Sequence, residues 1–116
     1  METVGVYQAM KDQGIIDDMK AKKIKWVYIC GVDNIMVNPI DSLFIGLTIS
    51  KNMKVASKSI VKAYPEEKVG VFCKKDGKPS TIEYIDMSEE MREKRLNDGE
   101  LEYGEGNFIS HLLSLE

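Results

Sequence analysis

The chain has 116 residues, of which 43% are hydrophobic and 30% are charged, and its formal net charge is -3 at pH 7. This composition is typical of one soluble globular domain spanning residues 1–116, and it excludes disordered and fibrous proteins. Nucleic acids and anionic membranes attract concentrated Lys and Arg, whereas the basic residues here are scattered, so we expect neither partner. No apolar run reaches the roughly 20 residues of a membrane span, and we identify no signal peptide.

The two cysteines, Cys30 and Cys73, lie in separate apolar runs, and the chain has a single His. Without a C-x-x-C spacing, this pattern favours neither a zinc site nor a disulfide framework. Two thiols without a secretion signal are typical of the reducing cytosol, so we expect a cytoplasmic protein.

The first half of the chain predicts helices around one central strand. Apolar spacing over residues 6–23, interrupted at Gly14, predicts two helical turns that lead into a longer helix. Trp26–Cys30 is an uninterrupted apolar run, which predicts a strand buried on both faces, as in a parallel sheet covered by helices. Asn38-Pro39 is a helix-start signal, and the apolar face that follows predicts a helix as far as Ser50.

Asp33 follows the predicted central strand, just past Gly31. In open α/β sheets, ligands bind outside the carboxyl ends of the strands, which makes Asp33 the first candidate for a functional carboxylate. An Asp in this position also commonly caps a turn or helix, so the residues alone leave both interpretations open.

The second half predicts antiparallel strands. Residues 53–62 and 69–74 have strand character, and Asp76-Gly77 is a strong hairpin-turn signal before Ile82. Ser88 is predicted to cap a short charged helix that runs through Arg95.

The carboxyl-terminal part is less determined by its pattern. Residues 101–103 are predicted to be extended, and residues 104–107 to form a glycine-rich loop. The apolar tail over residues 108–115 fits either a strand or a helix.

Short segments spread over nearly the whole chain, in order and at matching spacings, resemble the eukaryotic-type UDP-N-acetylglucosamine (UDP-N-acetylhexosamine) pyrophosphorylases of the UDP-sugar pyrophosphorylase family. The segments are Gly5-Val-Tyr7-Gln-Ala-Met, Val32-Asp33-Asn34, Lys68-Val69-Gly70-Val71, Ile82-Glu83-Tyr84, and Gly106-Asn107 followed by Ser110-His111. The resemblance implies an α/β fold. It would be part of the Rossmann-like mixed sheet of a nucleotidyltransferase (nucleotide-diphospho-sugar transferase), with flanking helices and an antiparallel hairpin.

The resemblance also implies a uridylyltransferase that joins UTP to N-acetylglucosamine 1-phosphate, giving UDP-N-acetylglucosamine and pyrophosphate, with Mg²⁺. It makes Asp33 the catalytic residue, placed at the nucleotide ribose and the metal. It adds Gly5 to the substrate-binding residues and implies that Gly70, Glu83 and Asn107 hold the sugar.

The residue types suit these implied roles. A carboxylate such as Asp33 can ligate the hard cation that bridges phosphate oxygens. Glu83 offers two acceptors to sugar hydroxyls, Asn107 offers a donor and an acceptor, and Gly70 lets the backbone approach a ligand closely. Without the resemblance, these three would be read as a solvent-facing strand residue, a turn residue and a bulge, and His111 is read as a packed residue.

The chain also departs from the family pattern. The family's glycine-rich phosphate loop and activating lysine would precede the first residue, and a further basic residue would follow the last. The family's Gly-Asn-Gly-Gly-x-Tyr run reads Glu2-Thr3-Val4-Gly5-Val6-Tyr7 here. We therefore expect a fragment of the central catalytic domain, carrying most of the sugar half of the site and having little or no turnover alone.

Two alternatives stay open at this point. One is a pyrophosphorylase for UDP-glucose or another UDP-sugar, and the other is a non-catalytic module that binds a sugar nucleotide or a protein. The sequence does not discriminate N-acetylglucosamine from N-acetylgalactosamine 1-phosphate, nor does it give the oligomeric state. Unpaired sheet edges and exposed apolar surface make self-association of such a fragment an expected behaviour.

Overall fold

The computed structural model describes residues 2–116. Within them the elements are α1 (Glu2–Asp12), α2 (Ile15–Ala21), β1 (Trp26–Cys30), α3 (Ser42–Ser50), β2 (Val55–Val61), β3 (Val71–Lys75), β4 (Lys78–Ile82), a short 3₁₀ helix (Tyr84–Asp86), α4 (Glu89–Glu93) and β5 (Glu105–Ser114). In this part of the chain, the helices are all too short or too polar to cross a membrane.

The amino-terminal helices meet at Gly14, which takes a left-handed conformation with φ of 69°. The predicted break at this glycine is confirmed. The predicted lengths are wrong, because α1 has 11 residues and α2 has 7. Apolar spacing begins only at Val6, whereas the helical backbone begins at Glu2. The apolar pattern therefore underestimated the length of the first helix.

The chain divides into two compact units, each of which is described by itself. The first consists of the residues up to Ser57 together with Ile109–Glu116. In it, β1 pairs antiparallel with the second part of β5, from Trp26 opposite Ser114 to Cys30 opposite Ser110. All residues of β1 are half-buried.

The prediction of a parallel strand buried on both faces is therefore wrong for β1. An apolar run indicates that a strand meets little water, but it carries no information about the direction of the partner strand. The direction here is set by β5, which follows β1 at a distance of more than 70 residues in the sequence.

The second unit is Lys58–Phe108, and its centre is the hairpin of β3 and β4. Val71 pairs with Ile82 at the open end and Lys75 with Lys78 at the turn. Asp76 and Gly77 both take positive φ, 51° and 76°, as a two-residue type I′ turn requires. The predicted hairpin and the α/β class are confirmed.

Side-chain caps fix the starts of the two later helices. Asp41 Oδ1 accepts a hydrogen bond from the Phe44 N–H at 3.1 Å, so α3 begins at Ser42, later than the proline signal indicated. Ser88 Oγ accepts from the Met91 N–H at 3.2 Å, which confirms the predicted cap of α4.

The predicted glycine-rich loop over residues 104–107 is wrong, because β5 begins at Glu105 and the apolar tail continues it as a strand. Gly106 is buried, and a β carbon there would lie 3.1 Å from Ile60 Cγ2 and 3.2 Å from Val69 Cγ1. Gly106 thus allows close packing within a strand. Glycine is also common in flexible loops, so the composition of the segment did not distinguish the two.

β5 contains one unusual backbone conformation. Ile109 has φ of 58°, in the left-handed region that β-branched residues rarely adopt. Such a residue costs on the order of 1–3 kcal/mol and persists only where the surrounding structure imposes it.

The fully buried apolar set is small in the described part of the chain. Val71, Met87 and Leu112 are at most 2% exposed. By contrast, Val32, Ile35, Met36 and Ile40 are each at least 83% exposed. A continuous loop with this much exposed apolar surface is typical of a segment that another part of a protein covers.

Two glycines provide a matched test of this packing. A β carbon at Gly104 would lie 2.9 Å from the Leu101 carbonyl oxygen, whereas one at Gly46 in α3 would meet nothing within 4 Å. We expect Gly104→Ala to lower the free energy of unfolding by about 1–3 kcal/mol through overpacking. We expect Gly46→Ala to raise it by about 0.5–1 kcal/mol, because Gly loses more conformational freedom on folding.

Urea unfolding of both variants beside the unmodified chain measures these changes. A Gly104→Ala variant at least as stable as the unmodified chain would contradict the packing described here.

Candidate functional site

Three of the predicted site residues meet in the second unit. The Asn107 N–H donates a hydrogen bond to the Gly70 carbonyl oxygen at 2.7 Å. A β carbon at Gly70 would lie 3.3 Å from Glu83 Oε2. Gly70, Glu83 and Asn107 therefore lie close together, as residues that hold one sugar would have to, while their contact with a sugar stays a prediction.

Strand pairing produces this convergence. Val71 pairs with Ile82 on one side and with Gly106 on the other, and it is completely buried. Each candidate residue is next to one of these three, and in this antiparallel register Gly70 lies between Glu83 and Asn107. Asn107 is consequently delivered by β5 and not, as predicted, by a loop.

Glu83 lies just past β4, where the chain turns into the 3₁₀ helix. Its backbone is extended, with φ of -70° and ψ of 149°, and its carbonyl oxygen accepts the Asp86 N–H at 3.0 Å. The side chain is exposed. An extended residue that begins a turn can present its carboxylate beyond the end of the strand.

Arg92 holds the turn that follows Glu83, a role that the sequence did not indicate. Its guanidinium carbon lies 4.3 Å from the centre of the Tyr84 ring, and its Nη2 donates to the Tyr84 carbonyl oxygen at 3.5 Å. Stacking of this kind stabilises by about 0.5–2 kcal/mol. The two residues are eight positions apart and belong to different elements, so no periodic pattern marks the contact.

Asp33 belongs to the first unit and lies in the turn that follows β1, with an exposed side chain. Its Oδ1 would be 3.1 Å from a β carbon at Gly31, so the carboxylate folds back over that glycine. Asp33 lies past the carboxyl end of β1, as predicted, but β1 stands first in the strand order β1-β5-β3-β4 and is not the central strand that was predicted. The absence of a side chain at Gly31 leaves room for the carboxylate.

Gly5 lies within α1 and is exposed, and a β carbon there would meet nothing within 4 Å. The side chains of Glu2 and Thr3, which occupy the positions implied near uridine, lie outside the part that the structure describes. The structure thus places Gly5 and Asp33 in the first unit and the three sugar candidates in the second.

The described residues include no group of three or more His, Cys, Asp or Glu side chains that could hold a metal ion. Mg²⁺ in nucleotide sites is usually bound by only one or two carboxylates, together with water and substrate phosphates. The single exposed carboxylate of Asp33 fits such a donor set.

A cavity of about 650 Å³ in the second unit is lined by other residues, among them Lys62, Tyr64 and Arg95. The sugar candidates are not part of it. They lie where β3 begins and β4 ends, next to the first residues of β5.

His111 lies on β5 in the first unit, with its Nδ1 2.7 Å from Ser57 Oγ. Burial lowers the pKa of the His111 imidazole below its ordinary value of 6.5. The predicted packed histidine is confirmed. Its neighbour Ser110 is buried and hydrogen-bonds to the Tyr28 hydroxyl.

The chain is similar to several known proteins. The family model described as UTP–glucose-1-phosphate uridylyltransferase matches residues 3–109. UDP-N-acetylhexosamine pyrophosphorylase-like protein 1 of Homo sapiens is 39% identical over 95% of the chain and 22% of its own length. UDP-N-acetylglucosamine pyrophosphorylase of Saccharomyces cerevisiae is 36% identical over 92% of the chain and 22% of its own length.

Solved structures give the same result for the fold. The crystal structure of a putative UDP-N-acetylglucosamine pyrophosphorylase from Entamoeba histolytica matches with a TM-score of 0.86 and 32% identity, over 96% of this chain and 28% of that one. The Trypanosoma brucei UDP-N-acetylglucosamine pyrophosphorylase, solved with an inhibitor, matches with a TM-score of 0.80 and 31% identity, over 87% and 19%.

The fold is thus a portion of a nucleotidyltransferase fold, and the match covers nearly the whole chain. The chain belongs to the UTP–glucose-1-phosphate uridylyltransferase family. It spans about a fifth of the length of the curated relatives it matches.

The lowered pKa of His111 predicts a pH dependence of stability. The unfolded chain binds a proton at its ordinary pKa, whereas the folded chain does so only at lower pH. Stability is therefore fully present above about pH 6.5 and is lost as the pH falls from there through the folded pKa. His111→Gln removes this loss, because His111 is the only His in the chain.

Unfolding midpoints between about pH 5 and pH 8 measure the effect. We expect a flatter profile for His111→Gln than for the unmodified chain. Identical slopes with and without His111 would show that burial does not shift its pKa.

Proposed function

We propose that this chain is the central segment of a UDP-N-acetylglucosamine pyrophosphorylase, a uridylyltransferase of the Rossmann-like nucleotidyltransferase type. The complete enzyme would join UTP to N-acetylglucosamine 1-phosphate and release pyrophosphate. The observation that carries the proposal is that Gly70, Glu83 and Asn107 are neighbours on three adjacent segments of the sheet. The relatives named for this activity support it.

The three residues provide complementary groups for a sugar. The Glu83 carboxylate accepts hydrogen bonds from two adjacent hydroxyls, and the Asn107 side chain supplies a donor and an acceptor. Gly70 brings the backbone close to the ligand without a side chain between them. A sugar lacking the matching hydroxyls would leave polar groups unpaired, which is the main source of selectivity in such sites.

Asp33 would act at the phosphate side. When bound, Mg²⁺ supplies charge neutralisation for the phosphate oxygens during displacement at phosphorus. Asp33 would hold this ion with its carboxylate, and its turn keeps the side chain exposed past the end of β1. The role that we propose for Asp33 is thus positioning and charge compensation.

We further propose that the isolated chain binds a sugar nucleotide weakly but does not turn over. Donors that neutralise charge building up on a transferring phosphoryl group are typically worth about 10²- to 10³-fold each. The chain spans about a fifth of the length of its curated relatives. Most of the triphosphate half of the site would therefore have to come from elsewhere.

The second candidate is transfer to a different sugar 1-phosphate. The description of the matched family model names glucose 1-phosphate, and for this reason the alternative is kept. The groups of Glu83 and Asn107 can pair with hydroxyls of either sugar, so competition between UDP-glucose and UDP-N-acetylglucosamine decides between them.

Location and assembly are proposals of the same kind. Two unpaired, half-buried cysteines, Cys30 and Cys73, support a cytoplasmic protein. The exposed apolar loop that contains Val32 and Met36 supports self-association of the isolated chain. Binding measurements should therefore be repeated at several chain concentrations.

Removing the charge of Glu83 tests the sugar half of the site. We expect Glu83→Gln to weaken UDP-N-acetylglucosamine binding by about tenfold, the loss typical of one charge-assisted hydrogen bond. Glu66→Gln removes the same charge from an exposed position in the same unit and should leave binding unchanged.

Isothermal titration calorimetry with UDP-N-acetylglucosamine, and then with UDP-glucose, provides the measurement. If the Glu83 and Glu66 variants lose the same amount of affinity, the loss reflects the change in net charge and not a contact between Glu83 and the sugar. Tighter binding of UDP-glucose would favour the second candidate.

A chimera tests turnover. The matching segment of the Saccharomyces cerevisiae relative is replaced by this chain, and pyrophosphate release from UTP and N-acetylglucosamine 1-phosphate with Mg²⁺ is measured. In the chimera, Asp33→Asn should lower kcat by about 10²-fold or more while changing the KM for the sugar phosphate little, because the lost charge acts on the phosphates.

Asp17→Asn, an exposed change on α2 in the same unit, is the control. The 116-residue chain measured alone should show no turnover. A rate comparable to that of the chimera would mean that the chain contains its own triphosphate site, and an inactive chimera that folds would favour a non-catalytic module.

A further inference from the structure

Residues 62–70 join β2 to β3 in the second unit, and among the described residues they form neither helix nor strand. At the start of this segment, the Lys62 N–H donates to the Gly104 carbonyl oxygen at 2.9 Å. At its end, the Gly70 carbonyl oxygen accepts the Asn107 N–H at 2.7 Å. The two ends are thus attached to positions only three residues apart, as in the compact loops that often carry function. We call this segment the 62–70 loop.

Glu67 makes several of the bonds inside this loop. Its Oε2 accepts the Ala63 N–H at 2.7 Å. Its own N–H donates to the Tyr64 carbonyl oxygen at 3.2 Å, and its carbonyl oxygen accepts the Val69 N–H at 2.9 Å. Glu67 is half-buried. One residue therefore closes the loop on its first residues and also holds the residue that precedes Gly70.

Lys62 bonds the same loop from the opposite direction. It is only 5% exposed, and its Nζ donates to the Pro65 carbonyl oxygen at 2.8 Å. A buried ammonium group is costly unless acceptors replace its water, so the carbonyl contact is needed where it lies. The lysine reaches forward along the chain and Glu67 reaches back. Neither contact belongs to a strand register, because side chains make both of them.

The end of the loop supplies the middle residue of the candidate sugar site. β3 begins only at Val71, so the backbone that leads into Gly70 is held by the loop. Val69 Cγ1 would lie 3.2 Å from a β carbon at Gly106, which is next to Asn107. A change in the shape of the loop would therefore shift Val69 and Gly70 against the strand that carries Asn107.

We propose that Glu67 is a positioning residue for the sugar site, because its carboxylate closes the 62–70 loop and so holds Gly70 beside Asn107. The binding of a sugar there rests on the proposed function, but the effect of Glu67 on Gly70 and Asn107 is independent of it. Glu67 acts through the loop and not through the ligand. The role requires an acceptor oxygen at the reach of a glutamate side chain.

Amide hydrogen exchange of the 116-residue chain, followed by nuclear magnetic resonance, tests this role. The Ala63 amide reports the bond to the Glu67 carboxylate, and the Asn107 amide reports the bond to Gly70. The Met87 amide is the reference, since it bonds within the 3₁₀ turn after β4 and Met87 is buried. Isothermal titration calorimetry with UDP-N-acetylglucosamine measures the consequence for binding.

Three variants separate the contact from the charge. Glu67→Ala removes the acceptor, whereas Glu67→Gln keeps an acceptor oxygen at the same reach without the charge. Glu66→Ala removes a carboxylate from the neighbouring, exposed position and is the control.

In Glu67→Ala, we expect the Ala63 amide to exchange about tenfold faster, the change expected for one lost hydrogen bond. The Asn107 amide should also exchange faster, while Met87 stays protected. Affinity for UDP-N-acetylglucosamine should fall by about two- to tenfold, because apparent affinity falls with the fraction of molecules in which the site is formed. Glu67→Gln and Glu66→Ala should behave like the unmodified chain.

Free exchange of Ala63 in the unmodified chain would overturn the proposal, because the carboxylate would then not close the loop. So would a Glu67→Ala variant that releases Ala63 but leaves Asn107 exchange and affinity unchanged, or a Glu67→Gln variant that resembles Glu67→Ala.

If Glu67→Ala releases Met87 as well, the variant has lost its structure generally, and Glu67→Asp decides. This variant keeps the charge but is shorter by one methylene group. Release of Ala63 and Asn107 with Met87 protected supports the proposal, and any other pattern overturns it. If the unmodified chain does not bind the sugar nucleotide, the proposed function fails, while exchange at Asn107 still decides the positioning role.

Discussion

The pairing of Val71 with two strands at once is the constraint on which the candidate sugar site depends. Val71 is fully buried and lies between Ile82 and Gly106, which are on neighbouring strands. Because strand register is fixed by which residues are buried, a one-residue slip of either partner would turn the adjacent site residue to the opposite face. The site is therefore specified by the core beside it, together with the backbone hydrogen bond from Asn107 to Gly70.

Features encoded by a few adjacent residues were predictable from the sequence. Asp76-Gly77 specified its turn through the positive φ that both residues take, and Ser88 specified the start of α4 through its side-chain hydrogen bond. Asp33 was found because an apolar run ended just before it. The convergence of Gly70 with Glu83 followed from the hairpin between them.

Features that depend on distant partners were not predictable. Gly106 was assigned to a loop because nothing local shows that Ile60 and Val69 press against it. The direction of β1 depends on β5, and the stacking of Arg92 on Tyr84 joins elements without a common period. In each case the deciding contact joins different elements, so patterns within one element carry no information about it.

The contact between Gly70 and the Glu83 carboxylate has a consequence for how specificity can diverge among related enzymes. A β carbon at position 70 would stand 3.3 Å from Glu83 Oε2, so any larger residue there would push the acceptor outward by a few tenths of an ångström or force a new rotamer. Glycine at this position acts as a spacer that sets the reach of a neighbouring carboxylate. In the proposed sugar site, variation at residue 70 would thus change how far the Glu83 carboxylate reaches toward its ligand.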